Sequence, residues 1–266
     1  MSDTTTVQPT VLVEDRGNGT AVMTLNRPEA MNSINNAMAG EFVRLFSDWA
    51  VRTDIRCVVL AASGTRAFCA GADLKERNGL DFDGVRRQHA LFRLSLTIRQ
   101  SLEMPVIAAV QGLALGGGAE LAMASDIVYA APEAEFGLPE IRVGIMPGMG
   151  GTQFLPRIVG RGKAMDMLLS GDRISADAAR ACGIVADLFP RDELVDRAVA
   201  RAEQIAAMPP LAVRAVKRAV TVGGELDLNN GLAYELALHQ RLMASTDREE
   251  GIRAFVEKRA AKWVGE

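Results

Sequence analysis

One nearly uncharged run, residues 105–125, most constrains how this chain can fold, because Glu120 is its only charged residue. A segment of this composition is expected in the interior of the protein. Gln111 and four glycines interrupt it, so it does not resemble a membrane span. We expect a buried strand over 105–111 and, after a glycine loop, a short helix over 117–125. The carboxylate of Glu120 must then be hydrogen-bonded, have a shifted pKa or face a cavity.

The first 150 residues repeat this strand–turn–helix order. A Gly-Asn-Gly turn at 17–19 separates two β-rich runs, which is a hairpin signal. Asp73, followed by Glu76 three residues later, resembles a helix cap with its capping box. The other expected elements are strands over 10–15, 20–25, 56–61 and 126–130 and helices over 35–51 and 85–102. This alternation predicts an α/β fold with a largely parallel sheet and helices outside it.

From Gly150 onward the apolar spacing is mainly helical. Helices are expected over 161–169, 175–181, 191–207, 209–221, 228–244 and 247–262. A Met-Pro-Pro break near 205–210 divides the chain into a main unit, 1–205, and a helical C-terminal region, 206–266. That region carries an apolar stripe formed by Leu228, Leu232, Leu236 and Leu238. Little of the sheet is left to cover the stripe, so we expect it to form an interface between subunits.

Composition argues against several classes of protein. Apolar residues make up 48% of the 266 residues, enough for a substantial core, and the net charge of −3 argues against a general nucleic-acid binder. Cys57, Cys69 and Cys182 lack Cys-x-x-Cys spacing, which favours reduced thiols in the cytoplasm over a zinc site. His89 and His239 are expected on partly exposed helix faces, and no metal site is predicted. The polar first ten residues predict no signal peptide.

Glu140 is a second carboxylate in unusual surroundings, because it follows Gly137, Leu138 and Pro139 at the end of another apolar stretch. If Glu120 and Glu140 meet in space, their perturbed carboxylates can act as an acid and a base in proton transfer. The alternative that the residues leave open is a structural Glu120, packed in the first turn of its helix.

Backbone amides beside glycines are candidate anion-binding groups. Three glycines at 116–118 open the helix of Glu120 and leave N–H groups unpaired at its start. Ala72, just ahead of the Asp73 cap, offers a second amide of this kind. Each segment also reads as an ordinary glycine turn. A third glycine loop, 144–152, matches neither phosphate-binding pattern, and we expect it to line a cavity.

Taken together, these segments resemble the crotonase family, also called the enoyl-CoA hydratase/isomerase superfamily. The sequence resembles the family's signature at 107–112, 116–118 and 123–127, its first oxyanion segment at 70–75 and its N-terminal turn at 26–32. Matches at 171–176 and 254–258 extend the resemblance over essentially the whole chain. The resemblance implies a crotonase-like spiral of repeated ββα units with a helical C-terminal trimerisation region. It also implies a homotrimer or a hexamer, the latter a dimer of trimers.

The resemblance implies catalytic roles position by position. The amides of Ala72 and Gly117 would form an oxyanion hole around the thioester carbonyl. Glu120 and Glu140 would be the two catalytic glutamates of the hydratases. Gly148 would match a glycine whose amide helps to position the attacking water.

Contacts with the rest of the substrate follow from the same resemblance. Lys75 would lie near the CoA phosphates, and Phe255 and Lys258 would reach the nucleotide end of CoA from the last helix. The other implied substrate contacts are Ala70, Gly71, Asp73, Leu74 and Gly116.

The implied activity is that of an enoyl-CoA hydratase, which adds water across the 2,3 double bond of a 2-enoyl-CoA thioester and gives a 3-hydroxyacyl-CoA. No cofactor is implied, because coenzyme A is part of the substrate, and neither nucleic acid nor a membrane is an expected partner. Three alternatives stay open. They are a methylglutaconyl-CoA hydratase, which segments 70–77 and 247–266 also resemble; an enoyl-CoA isomerase, which usually keeps only one glutamate; and a non-catalytic acyl-CoA-binding scaffold, which is expected to lose part of the site.

Overall fold

Ten strands and eleven α-helices make up the described part of the chain, residues 8–266 of this computed structural model. The strands are β1 (Val11–Asp15), β2 (Thr20–Leu25), β3 (Cys57–Ala62), β4 (Ala67–Cys69), β5 (Val106–Val110), β6 (Leu113–Leu115), β7 (Ile127–Ala130), β8 (Glu135–Gly137), β9 (Arg173–Ser175) and β10 (Asp187–Leu188). The helices are α1 (Asn36–Trp49), α2 (Leu74–Asn78), α3 (Phe82–Ser101), α4 (Gly117–Met123), α5 (Gly151–Val159), α6 (Arg161–Ser170), α7 (Ala176–Ala181), α8 (Arg191–Ala206), α9 (Pro210–Thr221), α10 (Leu228–Met243) and α11 (Thr246–Glu257). The prediction about a signal peptide concerns residues 1–10, of which 1–7 lie outside the described residues.

Six strands form the main sheet, in the order β1-β2-β3-β5-β7-β10. The first two strands are the predicted antiparallel hairpin, with Val11 opposite Leu25. Every other neighbouring pair in this sheet is parallel. The buried strands expected at 56–61, 105–111 and 126–130 are β3, β5 and β7, and this part of the α/β prediction is confirmed.

The central strands of the main sheet are buried on both faces. In β3, Val58 and Leu60 face one apolar core, whereas Cys57 and Val59 face another. The helices that close these cores contribute Met38, Phe42 and Trp49 of α1 on one side and Leu194, Ala198 and Ala202 of α8 on the other. Burial on both sides explains why these strands read as continuous apolar runs in the sequence.

A second sheet contains four strands of three residues each, in the order β4-β6-β8-β9. The strands β4, β6 and β8 follow β3, β5 and β7 respectively, and β4 and β6 then lead into α2 and α4. This repeat is the ββα unit that the resemblance implies. The sequence did not reveal these short strands, because three residues are too few for an alternating pattern to show.

The C-terminal helices leave much of their apolar surface uncovered in the single chain. Helix α10 contains no buried residue, and Leu228, Leu232 and Leu236 are 76%, 53% and 56% exposed. An uncovered apolar stripe of this kind is typical of a protein interface. Within residues 8–266, no helix has the length and apolar character that crossing a membrane requires.

The last helix is shorter than the predicted span of 247–262. Lys258 has a left-handed backbone, with φ of 54°, and this conformation ends α11. The tail then folds back, because the Asp247 carboxylate accepts hydrogen bonds from the amides of Val264 and Gly265 at 2.7 and 3.0 Å. The helix therefore ends at Glu257, before the predicted position, and the residues after it pack back on its first turn.

Candidate active site

A cavity of ≈ 1100 Å³ lies between helix α3 and the loops that follow the short strands of the second sheet. Its wall includes Glu120, on α4, and Glu140, in the 3-10 helix Pro139–Val143 that follows β8. The wall also contains seven more residues of the predicted site: Ala70, Gly71, Ala72, Leu74, Gly116, Gly117 and Gly148. Segments far apart in the sequence thus meet around one cavity.

Two glycines permit the close packing of this site. Gly116 has φ of +52°, and a Cβ there would lie 3.0 Å from Oε1 of Glu140. A Cβ on Gly118 would lie 2.0 Å from the last carbonyl oxygen of β4, so the first turn of α4 packs directly on that strand. The same packing places Gly117 beside Gly71, since a Cβ added to Gly117 would lie 3.8 Å from the Cα of Gly71. A larger residue at 118 would push α4 away from β4, and one at 116 would displace the carboxylate of Glu140.

The amides of Ala72 and Gly117 are unused within residues 8–266, where neither donates to an acceptor. Ile34 forms hydrogen bonds with the peptide groups on both sides of Ala72. Its N–H donates to the carbonyl of Gly71 at 2.8 Å, and its carbonyl accepts from the Asp73 amide at 2.9 Å. The N–H of Ala72 therefore lies on the side away from Ile34. Gly117 is the first residue of α4, where amides lack an acceptor within the helix.

Glu120 is buried, with 2% of its surface exposed. Its Oε1 accepts hydrogen bonds from the amides of Met149 at 2.8 Å and Gly151 at 2.7 Å, both in the third glycine loop. Burial raises the pKa of this carboxyl above its ordinary value, while the two amides and the positive charge of Arg93 oppose the rise. The loop thus holds Glu120 in a fixed orientation and favours its charged form.

Glu140 is held differently. Its Oε2 is buried and has no hydrogen-bond partner within the described residues. Burial raises the pKa of Glu140 to about 7, its own backbone amide lowers it, and the negative charge of Glu120 raises it further. A carboxyl with this pKa binds a proton readily at neutral pH. The two glutamates therefore form an interacting pair that is held in two ways: backbone amides bind Glu120, whereas a buried oxygen of Glu140 has no partner within the described residues.

Four residues of the predicted site do not line this cavity: Asp73, Lys75, Phe255 and Lys258. The Asp73 carboxylate caps α2 through the amides of residues 75 and 76, at 3.1 and 3.2 Å, and pairs with Arg27 at 2.9 Å. Lys75 and Lys258 are exposed, and Phe255 is 86% exposed. The expected contacts of Lys75, Phe255 and Lys258 with coenzyme A stay predictions.

The structure adds cavity residues that the sequence did not reveal, chiefly His89 and Arg93 of α3 and Arg77 of α2. His89 is an exposed helix residue, as expected, yet its Nε2 lies 2.5 Å from the Cβ position of Gly148. Val85, His89 and Arg93 are spaced by four residues and so share one helix face. The sequence contains that spacing, but no signal in it indicates that this face meets the glycine loops.

Comparison with known proteins agrees with this geometry. The sequence model of the family described as "Enoyl-CoA hydratase/isomerase" matches residues 15–266. The chain is 42% identical to the 2,3-dehydroadipyl-CoA hydratase of Escherichia coli (strain K12), covering 96% of this chain and 98% of that protein. It is 39% identical to the mitochondrial enoyl-CoA hydratase of Pongo abelii, covering 95% and 87%. The crystal structure of an enoyl-CoA hydratase from Bacillus anthracis superposes with a TM-score of 0.94 at 39% identity, covering 97% and 100%.

The chain therefore belongs to the enoyl-CoA hydratase/isomerase family, and the predicted family and α/β crotonase-like fold are confirmed. Because the relatives carry hydratase names at about 40% identity over nearly the whole chain, the predicted class of enzyme, an enoyl-CoA hydratase, is confirmed as well.

Proposed function

We propose that the cavity hydrates a 2-enoyl-CoA thioester to a 3-hydroxyacyl-CoA, with Glu120 and Glu140 moving the protons. The observation that carries this proposal is the meeting, in one cavity wall, of two differently held carboxyls and two unused amides. Hydration needs these groups, because it requires a base for water, an acid for carbon and a site for negative charge. The relatives' names specify different acyl groups, so the proposal covers the class of 2-enoyl-CoA thioesters.

The amides of Ala72 and Gly117 accept the thioester carbonyl oxygen in this proposal. Negative charge develops on that oxygen as water adds to C3, and N–H groups fixed in advance stabilise it without reorganisation. Such a pair typically contributes on the order of several kcal/mol to the transition state. Support comes from the turn around Ile34 and the start of α4, which hold both amides in place.

Glu120 takes a proton from the water as its oxygen bonds to C3, and Glu140 delivers a proton to C2. This division is supported by the two backbone amides that favour the charged form of Glu120. It is also supported by the pKa of about 7 for Glu140, which lets this carboxyl hold the proton that C2 receives. One water adds overall once Glu120 releases its proton and Glu140 regains one by exchange with solvent. The reverse sequence is a dehydration. Gly148, next to His89 in the cavity wall, remains our candidate for positioning the water.

Substrate binding beyond the acyl group is proposed to involve Lys75, Phe255 and Lys258 at the phosphates and nucleotide of coenzyme A. The reaction uses no cofactor other than the coenzyme A of the substrate. A homotrimer or hexamer is proposed from the uncovered apolar stripe on α10. A cytoplasmic location is proposed from the three free cysteines.

The test is to offer the purified chain crotonyl-CoA and a 3-enoyl-CoA of similar length. Loss of the conjugated-thioester absorbance with formation of 3-hydroxybutyryl-CoA is the expected result. Faster conversion of the 3-enoyl-CoA to the conjugated isomer would identify an isomerase instead. Binding of both thioesters without turnover would identify a non-catalytic acyl-CoA-binding protein.

A further inference from the structure

Four arginines line the cavity, and two of them lack an acidic partner. Arg86 pairs with Asp83 on its own helix at 3.5 Å, and Arg142 pairs with Asp172. By contrast, no carboxylate lies within 4.0 Å of the guanidinium of Arg77 or Arg93 anywhere in residues 8–266. Arg77 is half-buried, and a half-buried cation without a counter-ion is costly unless a ligand supplies one, whereas Arg93 is exposed to solvent.

Arg77 is held in place by a chain of partly buried hydrogen bonds. Its Nε donates to Oε1 of Gln88 at 2.9 Å, and Gln88, which is 2% exposed, donates to Oε2 of Glu76 at 2.8 Å. The same Glu76 oxygen accepts from the Asn36 amide at the start of α1, at 2.9 Å. Because only Nε is occupied, the terminal nitrogens of Arg77 are left for another acceptor. Burial lowers the pKa of Arg77, which an anion in the cavity would reverse.

Arg93 approaches the cavity from α3, one turn after His89, and is exposed to solvent. Its positive charge acts on Glu120, whose pKa it lowers, so it lies within electrostatic reach of the proposed catalytic pair. No side-chain hydrogen bond within residues 8–266 uses its guanidinium. The groups that act on C2 and C3 of the substrate are therefore close to an unpaired cation in the wall that would surround the acyl chain.

Given the proposed hydration, we propose that the preferred acyl group ends in a second carboxylate, which Arg77 and Arg93 bind. A planar guanidinium matches a carboxylate in a bidentate geometry, and the Gln88 contact orients one guanidinium for that purpose. The cations expected at the phosphates of coenzyme A, Lys75 and Lys258, lie outside the cavity wall. This arrangement assigns the two arginines to the acyl end of the substrate.

Binding tests this assignment independently of turnover, because saturated thioesters cannot be hydrated. Calorimetry would compare the CoA monothioesters of five-, six- and eight-carbon dicarboxylic acids with their methyl-ended counterparts. At the best length the dicarboxylic thioester should bind at least about tenfold more tightly. Arg77→Gln and Arg93→Gln should each remove most of that advantage, while Arg77→Lys should retain more of it. Arg87→Gln, an exposed change on α3 outside the cavity wall, should leave it unchanged.

Equal or tighter binding of the methyl-ended thioesters at every length would overturn the assignment. So would an equal loss for both series in the Arg77 and Arg93 variants, which would place the arginines at the coenzyme A phosphates or in the fold. Turnover separates this failure from failure of the proposed hydration. A wild type that hydrates crotonyl-CoA but shows no preference for a terminal carboxylate retains the hydratase function and loses only the inference about the acyl group.

Discussion

The cavity and the C-terminal helices leave opposite kinds of group without partners. Around the cavity, the groups without a partner within residues 8–266 are polar, and they include the amides of Ala72 and Gly117, Oε2 of Glu140 and the terminal nitrogens of Arg77. On α10 the groups left over are apolar, with no residue buried and Leu232 more than half exposed. Unpaired buried polar atoms require a polar ligand, whereas an exposed apolar stripe requires an apolar surface. The two regions therefore predict a small oxygen-bearing molecule and a second copy of the chain, respectively.

The strongest test of this contrast removes the acid–base pair from the cavity. Glu120→Gln and Glu140→Gln should each lower kcat for crotonyl-CoA by at least about 10²-fold, the low end for loss of a general acid or base. The double variant should lose much less than the product of the two losses, because the residues work as a unit. Absorbance assays measure turnover, and thermal unfolding measures the stability of each variant.

The matched control is Glu135→Gln, on β8 close to Glu140 in the sequence. Glu135 pairs with Arg173 on the protein surface and does not line the cavity, so its loss should leave kcat nearly unchanged. If either Glu120→Gln or Glu140→Gln hydrates crotonyl-CoA at close to the wild-type rate, the two-glutamate mechanism is wrong. Lower stability with normal turnover would mean that the glutamate is structural.

The pH dependence of the wild type is the next largest effect. Glu140 has a pKa of about 7 and must be protonated to deliver a proton to C2. Hydration should therefore fall above pH 7, approaching about tenfold per pH unit. Glu120 must be charged to accept a proton from water, and its pKa is raised, so activity should also fall at low pH. The profile of kcat/KM from about pH 5 to 9 checks this, and a rate that keeps rising above pH 8 would contradict the acid role of Glu140.

Some features of the cavity could be predicted from local sequence pattern, and others could not. Burial of Glu120 followed from the uncharged run around it, and the positions of the main strands followed from continuous apolar runs. The amides of Ala72 and of the 116–118 glycine turn were candidate anion-binding groups from the sequence, whereas the meeting of Glu120 with Glu140 and the thioester carbonyl as the bound group came from resemblance. Local pattern carries no information about which loops meet across the second sheet, whose strands are too short to detect.

The remaining features depend on tertiary contacts that sequence pattern does not encode. The amides that hold Glu120 belong to Met149 and Gly151, in a loop for which the sequence indicated only a cavity wall. Arg77 gains its orientation from Gln88, an otherwise ordinary residue of an amphipathic helix. The apolar stripe on α10 could be recognised in the sequence, because it depends only on the spacing of leucines within that one helix.

The proposed role of the α10 stripe can be tested by placing a charge in it. Leu232→Glu should reduce the assembly from a trimer or hexamer to smaller species, because it places a charge in an apolar interface. Light scattering at micromolar concentration measures the mass. Val51→Glu, at an 81% exposed valine after α1, is the control and should not change it. A wild-type monomer under these conditions would show that the stripe is not an interface between copies.

The smallest expected effect links the two regions through coenzyme A. Lys75, on α2 beside the cavity loops, and Lys258, at the end of α11, are both exposed. Lys75→Ala and Lys258→Ala should each raise KM for crotonyl-CoA by up to about fivefold, because an exposed ion pair contributes at most about 1 kcal/mol. Since phosphate contacts far from the reacting carbons mostly stabilise substrate and transition state equally, kcat should change less. High salt should reduce both effects by screening.

The Lys258 contact can come from the C-terminal region of another subunit. In that case Leu232→Glu should abolish the effect of Lys258→Ala on KM but leave the effect of Lys75→Ala. An unchanged KM in both lysine variants would remove Lys75 and Lys258 from the site.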